Sequence, residues 1–184
     1  MTVLNFNEKK ATQLACQFIY NNCGLIDPSR LMTLMYLADR EALVKWNRSI
    51  TCDSYTAVEN GVILDTIQYY LKDTRYLYSF WFNHINLSSE NKLYTYRPCD
   101  PDNLSKAEID VIESVTEKYL DYTEEELLQV LGYVLPEWKQ IKKYPQPITI
   151  RDIFLSEAVS VQEVEKIMND IEYVYYVNNI LGCE

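Results

Sequence analysis

Histidine is nearly absent: His84 stands alone in 184 residues. Proton transfer near neutral pH falls most easily to histidine, so little general acid–base chemistry is expected. A Ser-His-acid triad would have to use His84, and no nucleophile elbow accompanies it. Glycine is scarce as well, with four residues and none close to another, which rules out Gly-rich phosphate loops and dinucleotide fingerprints. The five cysteines (Cys16, Cys23, Cys52, Cys99, Cys183) are widely and irregularly spaced and contain no C-x-x-C pair. Neither a zinc site nor a disulfide framework is expected from them, and a reducing, cytoplasmic setting is. No apolar run approaches the roughly 20 residues a membrane span needs. The first residues, Met1–Ala11, are polar and include Lys9-Lys10 without an apolar core after them, so no signal peptide is expected. Catalytic residues, metal and cofactor are all expected to be none.

What is present describes a packed globule. Hydrophobic residues make up 48% of the chain, too many for a disordered tail, and the length fits a single domain over residues 1–184. There are 16 tyrosines against 5 phenylalanines and 3 tryptophans. Tyrosine buries a ring while keeping its hydroxyl wet, which suits core edges first and contact surfaces second. The net charge is −10, unevenly spread: residues 1–103 hold 10 basic and 11 acidic groups, residues 104–184 hold 7 and 16. Such a surface repels phosphate backbones, so direct nucleic-acid binding is not expected. A basic protein partner would be attracted.

Along the chain the pattern is mainly helical, an α+β arrangement of a compact helical bundle with one small β-hairpin or sheet. A first helix spans about Glu8 to Asn22, ended by Gly24. Asp27 and Pro28 open a second, whose residues Leu31, Leu34, Met35, Ala38 and Leu43 read as a central buried element. Residues 50–62 are irregular and β-like, and Gly61 is expected to precede a helix carrying Val62, Leu64, Ile67, Tyr70 and Leu71. A hairpin follows, with arms from Tyr78, Phe80, Phe82 and Ile85 and from Leu93, Tyr94 and Tyr96 around the tip Ser88–Asn91. Three capping boxes then mark helix starts: Ser105/Glu108, Thr123/Glu126 and Ser160/Glu163, each flanked by an apolar staple pair. Thr149–Leu155 reads as a short turn, and the last helix reaches about Ile180.

Two acids stand out. Asp39 ends an apolar helical run, and Asp53 lies in the irregular segment after it. They can face each other, or satisfy backbone amides of the 45–60 loop, or meet a partner. The triplet Glu124-Glu125-Glu126 answers a helix N-terminal dipole and asks for no further role.

The run Leu34-Met35-Tyr36-Leu37-Ala38-Asp39-Arg40, then Arg48-Ser49-Ile50-Thr51-Cys52-Asp53-Ser54-Tyr55 and Gly61-Val62, resembles the Panacea domain, the SocA-like antitoxin domain. Downstream, Leu104-Ser105 with Glu108, Tyr119 with Thr123, Glu126 and Leu127, and Pro136-Glu137-Trp138 follow in the family's order, so the likeness spans about residues 12–155. This sequence departs from the pattern at Ser49 (usually proline), Cys52 (usually glycine), Val62-Ile63 (usually proline-valine) and Gly132-Tyr133 (often threonine-histidine). The resemblance implies an antitoxin that binds and neutralises a cognate protein toxin, with presentation of the toxin to a protease as a variant of that role. A competing reading is a phage-encoded regulator or anti-defence protein using the same fold on a host protein. A third, a small enzyme built on Asp39 and Asp53, would need both carboxylates in one open pocket. The expected partner surface is Asp39, Asp53, Tyr55, Glu59 and Asn60, the polar stretch between the central helix and the Gly61 turn. The oligomeric state does not follow from these residues.

Overall fold

A computed structural model describes residues 5–72, 79–157 and 159–181. Helix α1 (Glu8–Asn21) is capped by Asn7, whose side chain accepts the Lys10 amide at 3.1 Å. It unwinds through Cys23 and Gly24, both at positive φ, where glycine's missing Cβ removes the steric cost. Helix α2 (Pro28–Trp46) starts with proline in the first turn, as expected, but Asp27 makes no side-chain cap bond. Its carboxylate instead pairs with Lys92. Asn47, at φ 58°, closes the helix in the left-handed conformation that asparagine tolerates.

The small β elements differ from expectation in two places. Strands β1 (Tyr55–Val58) and β2 (Gly61–Leu64) form an antiparallel hairpin around Glu59-Asn60, and helix α3 (Asp65–Lys72) begins only after it. Asn60-Gly61 is hairpin-turn chemistry, and the branched pair Val62-Ile63 favours a pleated surface, so the helix starts four residues later than Gly61. In the aromatic segment the strands are short: β3 (Ile85–Leu87) pairs with β4 (Leu93–Thr95). Phe80 and Phe82 lie in turns before β3, and Tyr78 lies outside the described residues. Trp81 is fully buried while Phe80 and Phe82 also pack on the core. A strand would send neighbours to opposite faces, so three consecutive core-facing rings require a turn.

Helix α4 (Lys106–Tyr119) and helix α5 (Glu124–Gln129) begin at their expected capping boxes. A π-turn (Val130–Val134) and a 3₁₀ turn (Trp138–Gln140) lead to strand β5 (Gln146–Ile148). That strand adds antiparallel to β1, giving a sheet in the order β2-β1-β5. Helix α6 (Ile150–Ser156) replaces the expected short turn; its capping box, Thr149/Asp152, uses aspartate in place of the more usual glutamate. Helix α7 (Val161–Leu181) starts at Ser160, whose hydroxyl accepts the Glu163 amide at 3.3 Å. The described residues are mainly helical with small sheets of three and two strands, in keeping with the mainly helical α+β arrangement expected.

Helix α2 is the axis of this arrangement, touching α1, α4, α5, α6 and β2. Leu31, Leu34, Met35 and Leu43 are fully or nearly fully buried and meet Leu14, Phe18, Val111 and Val115 from α1 and α4. Each such side chain contributes about 1.5–3 kcal/mol on leaving water. None of the helices among the described residues is long and apolar enough to cross a membrane.

Candidate functional site

An aspartate in the middle of an apolar helix needs donors around it, because an unpaired buried charge is costly. Asp39 has 0% exposure and finds four. Its Oδ1 accepts the backbone amides of Ile50 at 2.7 Å and Thr51 at 2.9 Å. Its Oδ2 accepts the hydroxyl of Tyr55 at 3.0 Å and that of Thr51. The loop after α2 is thus tied back onto α2 through one carboxylate. Burial pushes the Asp39 carboxyl up to about 6, with the donors from Thr51, Tyr55 and Ile50 pulling against it.

Asp53 plays a second structural part. It accepts the amides of Ser54 at 2.8 Å, Thr66 at 3.0 Å and Ile67 at 3.2 Å. The last two belong to the first turn of α3, so Asp53 caps that helix from across the β1–β2 hairpin. Burial raises its carboxyl, opposed by these same bonds. Asp39 and Asp53 therefore both satisfy backbone amides.

A second buried cluster lies one helical turn away. Glu137 accepts Tyr36 Oη at 2.8 Å, Arg40 Nε at 2.7 Å, Arg40 Nη2 at 3.1 Å and Ser156 Oγ at 2.9 Å. Burial alone would raise the Glu137 carboxyl, but the Arg40 guanidinium outweighs it and holds the group below its usual range. Arg40 also reaches Glu157, drawing α6 into the cluster. The two clusters are stitched by rings: Tyr36 meets Tyr55 edge-on at 5.2 Å and Trp138 at 6.4 Å. Among the described residues no group of three or more His, Cys, Asp or Glu is placed to hold a metal ion. His84 Nδ1 lies 2.9 Å from the Phe80 carbonyl and its ring tilts on Phe80, which fastens the turn before β3.

Of the five residues expected to meet a partner, Asp39, Tyr55 and Asp53 are therefore inside, at 0%, 3% and 7% exposure. Only Glu59 and Asn60 are exposed, at the tip of the β1–β2 hairpin. The reason is chemical: carboxylates rich in nearby amide donors are better matched by the loop they organise than by solvent. Sequence reasoning gave no part to Tyr36, Arg40 or Glu137. A signal existed in the acid beside Trp138, which follows the apolar stretch Tyr133–Pro136, and in the base beside Asp39 within the apolar-rich helix α2.

The outer surface offers two other features. A groove of about 890 Å³ lies between the 5–9 segment, the end of α2 and α7, lined by Phe6, Leu43, Trp46, Ile50, Ile171 and Val174 among others. The far end of α7 exposes Tyr173, Tyr176 and Ile180 to solvent.

The chain matches the SocA-like antitoxin, Panacea domain family over residues 31–139, more than half its length. It belongs to this family. No curated protein and no solved structure matches it. The Panacea segments are those that build the buried network: Tyr36, Asp39 and Arg40 from α2, Thr51, Asp53 and Tyr55 from the loop and β1, Glu137 and Trp138 from the 3₁₀ turn. Its departures can be read too. Cys52 has φ 56°, the left-handed region, so the glycine usual at that place in the Panacea pattern avoids a strain of about 1–2 kcal/mol that cysteine bears here.

Proposed function

We propose that this chain is an antitoxin that neutralises a cognate protein toxin by binding it, in the cytoplasm and without catalysing a reaction. The match to the Panacea domain family over residues 31–139 carries this reading. The charge supports a basic toxin surface: the chain bears −10 overall, concentrated after residue 103. The two most conspicuous acids of the sequence are spent on holding the loop and α3, which favours action by contact through the outer surface over chemistry at Asp39 and Asp53. Glu59 and Asn60, the exposed pair of the residues first singled out, remain part of that surface.

Expressing the adjacent gene alone, and then together with this chain, tests the reading. Growth arrest by the neighbour, relief by this chain and a co-purifying complex are the expected results. Toxin that stays abundant during relief supports blockade by contact, and toxin that disappears supports delivery to a protease. A harmless neighbour, or relief with abundant toxin and no complex, contradicts the proposal.

A further inference from the structure

Helix α7 changes its apolar face halfway along. Val164, Ile167, Met168 and Ile171 stand at i, i+3, i+4 and i+7 and pack on the core. Tyr173, Tyr176, Val177 and Ile180 repeat the same spacing nine residues later. Nine residues are about two and a half helical turns, so the second stripe points away from the first. Tyr173, Tyr176 and Ile180 are accordingly 68%, 64% and 63% exposed, with Val177 half-buried at their side. Three large apolar side chains in one solvent-facing row are not needed by the fold, which already holds α7 through its first half.

The charges beside the row indicate what covers it. Asp170 and Glu172 are exposed on its two flanks, and α7 carries Glu163 and Glu165 against a single Lys166. A second copy of this chain would set acid against acid. A partner with an apolar cleft and a basic rim fits both the row and its flanks. The row lies beyond residues 31–139, the part matched to the family.

We infer that the second half of α7 is the toxin-docking helix: its Tyr173–Tyr176–Val177–Ile180 row seats in an apolar, basic-rimmed cleft of the toxin. This rests on the antitoxin reading above and names the surface that performs it. The mode is that of a helix laid in a groove, with i, i+3, i+4 and i+7 anchors.

The test uses the full chain and the purified product of the adjacent gene. Tyr173→Ser, Tyr176→Ser and Ile180→Ser are combined, since serine and tyrosine have similar helix propensity; Tyr176→Ser alone serves if the triple variant does not fold. Wild-type binding with at least about tenfold weaker binding by the folded variant, and lost growth rescue, is expected, because buried tyrosines dominate such contacts. Asp170→Asn with Glu172→Gln weakens binding at low salt, and the loss fades when the Debye length shrinks to about 3 Å near 1 M salt. Equal binding by wild type and triple variant overturns the docking surface and leaves the antitoxin reading standing. Wild type that fails to bind overturns both. A dimer of this chain that the triple variant dissolves, with toxin binding unchanged, assigns the row to self-association and overturns the inference as well.

Discussion

Helices α2 and α7 are of similar length, 19 and 21 residues, and place opposite kinds of residue on opposite sides of the boundary. Helix α2 buries Asp39 completely and most of Arg40, inside a network of donors and acceptors. Helix α7 leaves Tyr173, Tyr176 and Ile180 in water. Polar groups inside a core fix one arrangement of the loops around them, provided each is satisfied. Apolar groups outside wait for a surface that covers them. The first helix lies in the region shared by the family and the second outside it. On the proposed reading, the scaffold and the docking surface are separated along the chain.

That division can be broken most forcefully from the inside. Glu137→Ala strands the largely buried Arg40 and removes four bonds, and a loss of about 3–5 kcal/mol is expected by chemical denaturation. Asp39→Ala leaves the Ile50 and Thr51 amides without their acceptor and is expected to cost about 3 kcal/mol, at about 1–3 kcal/mol for each buried group stranded. If either variant unfolds at the wild-type midpoint, the network is not what organises the loop.

The two acids also respond to pH in opposite directions. Asp39 titrates near 6 when folded and near 3.8 when unfolded, so between those values the folded state holds more protons. Its charged form weakens the fold above pH 6, and the penalty fades as pH falls towards 4. Glu137 is held low, so its contribution is full above its unfolded value and is lost as pH falls through its folded one. Wild type should therefore gain stability relative to Asp39→Asn between pH 7 and 4, and lose it relative to Glu137→Gln below pH 4. Parallel pH curves for wild type and Asp39→Asn would contradict the assignment.

The helix starts make a finer comparison. Ser105 caps α4, where Glu108 also accepts Lys10 at 2.6 Å and is buried; Ser160 caps α7 at an exposed end. Both alanine variants should cost about 0.5–2 kcal/mol, with Ser105→Ala the larger. Equal midpoints for wild type and both variants would show that the boxes do not hold the helices.

How much of this was legible in the residues depended on range. Capping boxes are written within four positions, so Ser105/Glu108, Thr123/Glu126 and Ser160/Glu163 could be read directly, while Thr149/Asp152 carries the shorter aspartate in place of the usual glutamate. The central burial of α2 followed from its apolar faces. The strand at Gly61–Leu64 and the turns at Phe80–Phe82 were hidden because three-residue decisions rest on tertiary packing more than on local preference. The candidate site was half visible. Asp39 and Asp53 were conspicuous, but apart from the neighbouring Ser54 amide their donors lie 11 to 16 residues away, and the Glu137 cluster joins residues about a hundred apart. No spacing rule reaches that far. The α7 row was within reach of a spacing rule, yet its meaning depends on which side of the helix the core occupies.

The smallest expected effect is the most discriminating for α7. Tyr173→Ser, Tyr176→Ser and Ile180→Ser should each change stability by no more than about 0.5 kcal/mol, as for surface sites away from packing. A loss of several kcal/mol in thermal or denaturant unfolding would mean that the row is covered by the chain itself.

Amide hydrogen exchange on the free chain and on the chain mixed with the adjacent gene's product tests the proposed separation of scaffold from docking surface in one experiment. The Ile50 and Thr51 amides, bonded to Asp39, should exchange slowly and equally in both states, while residues 172–181 gain protection only in the complex. Protection gained at Ile50 and Thr51, with none in the second half of α7, would contradict the account.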